Sequence, residues 1–178
     1  LPHGEAFRLK VRSMVGLLPL CASTVFESDL ATRNPKLVEL IALFRKRHPE
    51  VIAHVAPTVE GFIGHAGRRL LSPLTQRKLE RILGYLLDER EFLSPYGIRA
   101  LSRYHREHPF VFHVAGQEYR VEYLPGDSDS GMFGGNSNWR GPVWMPMNYL
   151  LIEALQKFAF YFGDTFKVEF PTGSGCQM

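Results

Sequence analysis

Between Val143 and Phe162 the chain is apolar on every side of a notional helix, broken only by Asn148, Glu153, Gln156 and Lys157. A segment of that kind needs either lipid or neighbours packed around it. Glu153 and Lys157 interrupt the roughly 18 to 20 uncharged residues that a membrane span requires, so no membrane is expected and protein must surround the helix. Met14 to Phe26 reads the same way, with Ser13 as a cap and Pro19 expected to kink the helix or shorten its start. Two other segments are one-sided. Asn34-Pro35 suits a helix start, because asparagine accepts from free first-turn amides and proline at the first position loses no needed donor. Leu37, Leu40, Ile41 and Phe44 then recur at helical spacing opposite Lys36, Glu39 and Arg45, and His48-Pro49 ends the helix. From Thr75, the stripe Leu79, Ile82, Leu83 and Leu86 faces away from Arg77, Lys78, Glu80, Arg81 and Asp88. All-round apolar helices inside and one-sided helices outside make a mainly α fold in two layers, which a helical ring or a plain bundle would both supply.

The remaining chain is extended or looped. Phe7 to Val11 and Phe166 to Phe170 alternate apolar and polar as short strands do, and Phe110 to Val114 with Tyr119 to Tyr123 reads as a β-hairpin around Ala115 to Glu118. Leu124 to Gly141 is a long loop with five glycines, too long to be idle in a compact domain. It runs into Gly134-Gly-Asn-Ser-Asn-Trp-Arg-Gly-Pro-Val-Trp144, which sets two indoles, one guanidinium and two carboxamides directly before the apolar helix. Trp139 and Trp144 offer flat faces suited to the C–H side of a sugar ring, while Asn138, Asn136 and Arg140 offer the directional hydrogen bonds that hydroxyls require. The competing reading is a loop that plugs a helical core, with the tryptophans as packing and Arg140 as a strap.

Trp-Arg-Gly-Pro-x-Trp followed by Met-Asn-Tyr-Leu resembles the carboxy-terminal catalytic domain of glycoside hydrolase family 63, the processing alpha-glucosidases or mannosyl-oligosaccharide glucosidases, and especially its bacterial members. The resemblance extends through Glu122-Tyr-Leu-Pro-Gly-Asp127, Leu93-Ser-Pro-Tyr-Gly-Ile-Arg99 and Arg12-Ser-Met-Val-Gly-Leu17. It implies part of an (α/α)6 toroid with a small β-hairpin insertion, and inverting cleavage by two carboxylates. A full ring needs about twelve helices at roughly 11 to 12 residues each plus connections, so residues 1–178 are expected to be one incomplete catalytic domain, inactive alone, whose partners are an oligosaccharide and the rest of the same domain. It also implies that the family's acid and base lie outside this segment, so no catalytic residue is assigned. Trp139, Arg140, Trp144 and Asn138 are the expected substrate-binding residues, with Arg12 at the same rim or in a structural salt bridge.

Inversion requires an acid and a base with carboxyls about 6.5 to 9.5 Å apart. Glu122, Asp127 and Asp129 are the acids nearest the tryptophan loop, although short acids beside Pro125-Gly126 also serve to build a turn. The formal net charge of +3 is small and its basic residues are interleaved with acids, which argues against nucleic acid; Arg68, Arg69, Arg77, Lys78 and Arg81 read as a solvated face. Cys21 and Cys176 make no disulfide framework and neither sits beside an evident base, so a reducing, cytoplasmic setting is the default. His105-x-x-His108 lacks a third ligand at zinc-like spacing, so no metal or other cofactor is expected and both histidines are placed on the surface. The leading function is therefore inverting hydrolysis of an alpha-linked glucosyl or mannosyl unit. The rival is a non-catalytic carbohydrate-binding or helical scaffold protein.

Overall fold

A computed structural model of the chain describes residues 4, 6, 8–53, 63–126 and 142–178. Asn138, Trp139 and Arg140 lie outside the described residues, as do Asn136, Asp127 and Asp129. Contacts group the chain into two compact units, one of Leu1–Leu17, Gly84–Asn148 and Glu169–Gln177, the other of Leu18–Leu83 and Tyr149–Val168 with Met178.

The first apolar segment is not an α-helix. Met14–Cys21 winds as a 3-10 helix with Pro19 inside it, and the chain then straightens into β1 (Thr24–Phe26). Its burial follows the three-residue repeat of that helix: Met14, Leu17 and Leu20 are at most 4% exposed, whereas Val15 is 48% exposed. Proline removes a donor that an α-helix would need, and the tighter winding turns one row of side chains inward instead of all of them.

In the unit containing Leu18–Leu83, β1 pairs antiparallel with β2 (Arg69–Leu71), and the hydroxyls of Ser23 and Ser72 meet at 2.8 Å one step further along the ladder, both buried. Between these strands run α1 (Leu30–Arg33), α2 (Pro35–Arg47) and α3 (Pro49–Ile52). Proline opens α2 as expected, but the Asn34 side chain makes no cap bond. No residue of α2 is buried, and Leu40 and Phe44 of its apolar stripe are largely exposed. Helix α4 (Gln76–Leu86) follows the predicted pattern more closely: Thr75 accepts from Lys78 and Leu79 at its start, and Leu79, Leu83 and Leu86 are buried. Asp88, placed on the outer face from sequence, is instead buried just past the helix end. Helix α5 (Met145–Phe162) buries Asn148, Leu151, Ala154, Phe158, Tyr161 and Phe162, but leaves Tyr149, Leu150, Ile152 and Phe160 exposed. Its composition reports more burial than this chain supplies.

In the other unit β3 (Leu93–Ser94) and β4 (Gly97–Ile98) form a minimal hairpin. A longer one joins β5 (Phe110–Val114) to β6 (Gln117–Val121), with Phe112 stacked on its cross-strand partner Tyr119. Both turn residues, Ala115 and Gly116, have positive φ, which closes the hairpin in two residues and starts the second strand at Gln117, two places before the predicted Tyr119. No strand forms at 8–12 or 166–168, although Ser13 bridges Leu101 and Glu169 bridges Gln177.

The expectation of a mainly α toroid segment is therefore corrected. The described residues form helices, 3-10 turns and three two-stranded antiparallel sheets. One of the two helices expected to line an inner ring is short, 3-10 and continued by a strand, and the other is buried along one face.

The three-residue periodicity makes a direct prediction. Leu20→Ala should cost about 2 to 5 kcal/mol in denaturant unfolding, as for other fully buried leucines, and Val15→Ala about 0.5 kcal/mol or less. Comparable losses at the two positions would show that the segment is a helix buried all round.

Candidate functional site

Trp144 lies half-buried immediately before α5, in a segment that is tied to the β3–β4 hairpin by partly buried polar contacts. The Asn148 carboxamide, one turn into α5 and 5% exposed, accepts from the Ile98 amide at 2.6 Å and donates to the Ile98 carbonyl at 3.0 Å and the Trp144 carbonyl at 3.1 Å. It treats Ile98 as a neighbouring strand would, satisfying donor and acceptor together. The Ala100 amide donates to the Pro142 carbonyl at 2.8 Å, adding a second tie. At Gly97, φ is +130° and a Cβ would stand 2.9 Å from Asn148 Oδ1 and 3.1 Å from a Val143 methyl, so the close approach requires glycine. Ser94 Oγ donates to the Gly97 carbonyl at 2.6 Å and accepts from the Tyr96 amide at 3.2 Å, fixing the turn whose tip is Tyr96.

A polar network supports this hairpin from below. Residues 12–14 run antiparallel to 100–102: Met14 N donates to the Ala100 carbonyl and Ser102 N to the Arg12 carbonyl. The buried Glu91 carboxylate takes the Arg12 guanidinium on one oxygen and the Ser102 hydroxyl on the other. Arg12 also lies 3.7 Å over the Tyr104 ring. Arg99, 8% exposed, spends its guanidinium on the carbonyls of Glu89, Glu91 and Leu93 and on the Tyr123 hydroxyl. These contacts make Arg12 the structural ion pair that was one of its two sequence readings.

His105 belongs to the same network and is not on the surface. It is 2% exposed; Nε2 accepts from the Arg12 amide at 2.8 Å, which leaves Nδ1 to donate to the His108 carbonyl at 2.9 Å. That tautomer is neutral, and burial pushes the imidazole below its ordinary value, only partly opposed by the His108 carbonyl. With both nitrogens occupied the ring is neither a base nor a metal ligand. Among the described residues no group of three or more His, Cys, Asp or Glu is arranged to hold a metal ion. Burial also pushes the Cys21 thiol up, away from nucleophilic use.

The family model for the glycosyl hydrolase family 63 C-terminal domain matches residues 67–169, more than half of the chain. The chain belongs to glycosyl hydrolase family 63. It is 51% identical over 169 residues to the uncharacterized protein YMR196W of Saccharomyces cerevisiae, covering 94% of this chain and 15% of that protein. It is 33% identical over 85 residues to a probable mannosyl-oligosaccharide glucosidase of Schizosaccharomyces pombe, covering 48% of this chain and 8% of that one. A mannosyl-oligosaccharide glucosidase of Saccharomyces cerevisiae is 28% identical over 89 residues, 49% of this chain and 8% of its own length. The chain thus spans a small part of the curated relatives it matches. These relatives are yeast proteins and give the expected bacterial affiliation no support. No solved structure matches the chain.

The family 63 match takes in the β3–β4 hairpin, Asn148 and Trp144 together. Of the residues predicted to bind substrate, Trp144 alone falls among those described. Glu122, the described acid nearest the loop, bonds Arg120 at 3.1 Å, and Asp88 is held below the usual carboxylate range chiefly by its hydrogen bond to Arg90. A groove of about 1440 Å³ runs along α2 in the other unit, lined among the described residues by apolar side chains with a basic edge and by no carboxylate. The basic patch is not uniformly solvated either, since Arg68 stacks 3.5 Å over Phe160 and reaches Glu27. Sequence reasoning met Asn148 as a polar break in an apolar helix and within Met-Asn-Tyr-Leu, and Tyr96 within Leu93-Ser-Pro-Tyr-Gly-Ile-Arg99, but gave neither a role at the site. The signal for Tyr96 was the run Ser-Pro-Tyr-Gly, a turn composition that places an aromatic residue at an exposed tip.

The neutral tautomer fixes a pH dependence. A histidine whose folded pKa is below its unfolded value, about 6.5, binds fewer protons folded than unfolded, so stability is full above that value and falls as pH drops below it. Unfolding free energy measured from pH 8 to 5 should therefore decline below about 6.5, and His105→Gln should flatten the decline. A slope unchanged by the substitution would show that His105 does not stay neutral in the fold.

Proposed function

We propose that this chain contributes the sugar-binding wall of an inverting glycosidase that removes an alpha-linked glucosyl or mannosyl unit from an oligosaccharide. The carrying observation is the family 63 match across the segment where Asn148 braces Trp144 against the β3–β4 hairpin. A half-buried indole on a braced backbone has its point of attachment fixed before ligand arrives, which lowers the ordering cost of binding. Two fungal relatives carry the name mannosyl-oligosaccharide glucosidase, which supports an oligosaccharide as the substrate class. In this reading Trp144 and Trp139 wall the sugar, and Asn138 and Arg140 bind its hydroxyls. The acid and base come from other parts of the full-length polypeptide, and no step of the reaction needs a metal or other cofactor. Glu91 is committed to Arg12 and Ser102, and Asp88 to Arg90, which leaves both poorly suited to protonating a leaving oxygen.

The test is hydrolysis by the full-length protein of a panel of alpha-linked glucosyl and mannosyl oligosaccharides, followed by NMR of the first-formed anomer. Turnover releasing the β-anomer is expected, with kcat/KM reduced about 100-fold or more in Arg140→Ala, roughly 2.7 kcal/mol of transition-state binding. No turnover by a folded protein, with sugar binding indifferent to Arg140→Ala, would overturn the proposal. Sugar-dependent quenching of tryptophan fluorescence without turnover would favour the non-catalytic binding protein.

A further inference from the structure

Tyr96 is 85% exposed, more than any other exposed large hydrophobic side chain among the described residues, and its hydroxyl has no partner among them. An aromatic ring so placed is ordinarily on a loose loop, but this one is not. Its turn is closed by Ser94 from both sides, the next residue admits no side chain, and the two after that are anchored by Asn148 and by the buried Arg99. The contact that excludes a Cβ at Gly97 is with Val143 and Asn148. Tyr96 and Trp144 are therefore each one residue from the touching pair Gly97 and Val143, which holds their Cα atoms within about 15 Å of each other at the 3.8 Å spacing of the chain. That spacing is within the reach of one short oligosaccharide.

We propose that Tyr96 is a second aromatic platform of the same site, taking the face of a sugar residue adjacent to the one held at Trp144. The inference rests on the reading of the Trp144 segment as a sugar site and adds a residue that sets how many sugar units are held. A tyrosine ring supplies a large, stiff contact area with only two torsions to fix, and here the backbone beneath it is already fixed. The ring, not the hydroxyl, carries the contact, and the exposed side chain contributes little to folding.

Binding of kojibiose, nigerose and maltose to the full-length protein, measured by calorimetry for wild type, Tyr96→Ala, Tyr96→Phe and Arg140→Ala, tests this. Tyr96→Ala is expected to weaken binding of the preferred disaccharide about tenfold or more, roughly 1.4 kcal/mol. Tyr96→Phe should stay within about twofold, and the melting temperature of both should match wild type. Wild-type affinity of Tyr96→Ala for every disaccharide, alongside a loss in Arg140→Ala, would overturn the role of Tyr96 and leave the sugar site standing. Failure of the wild-type protein to bind any of the three would overturn both.

Discussion

The arrangement of the candidate site depends on one buried carboxamide. Asn148 satisfies both the amide and the carbonyl of Ile98 and turns its remaining donor capacity back to the Trp144 carbonyl in its own helix. A hydrophobic side chain there would fill the space but leave a partly buried peptide unit unpaired, at up to about 1 to 3 kcal/mol for each orphaned group. An aspartate would supply the acceptor and lose the donor. Asparagine alone among side chains of that length matches a peptide unit on both sides. The consequence is positional: the hairpin carrying Tyr96 and the segment carrying Trp144 cannot move independently.

Beneath that joint the unit is held by ions that are themselves fully engaged. Arg99 is buried against carbonyl oxygens and a phenol instead of a carboxylate, and Glu91 accepts from both Arg12 and Ser102. Satisfied in this way, buried charges fix geometry more than they add stability, because desolvation offsets much of their attraction. Glu91 and Arg12 are consequently read as structure.

Much of the local structure was legible in the residues, and the departures have physical causes. The Thr75 start and the Leu79, Leu83, Leu86 stripe of α4 need only neighbours within the helix to be recognised. The Phe110 hairpin was visible from alternation, but its register depended on Ala115 adopting positive φ, which composition does not announce. Met14 to Phe26 misled because apolar residues spaced by three and by four coexist there, and Pro19 decided between them. The larger architecture was not legible from periodicity: all-round apolarity in α5 records what a helix can bury, not what this stretch of chain supplies to bury it. At the site, Asn148 and Gly97 act through contacts about 50 residues apart in sequence, which no local pattern reveals.

Amide hydrogen exchange at Ile98 tests the joint most directly. In the wild-type protein the Ile98 amide should be protected, and Asn148→Ala should accelerate its exchange by about a hundredfold or more, the equivalent of roughly 2.7 kcal/mol of local opening, while amides of α4 keep their protection. Unchanged exchange at Ile98 in Asn148→Ala would mean that the hairpin stands without the carboxamide, and that the common placement of Tyr96 and Trp144 has no such cause.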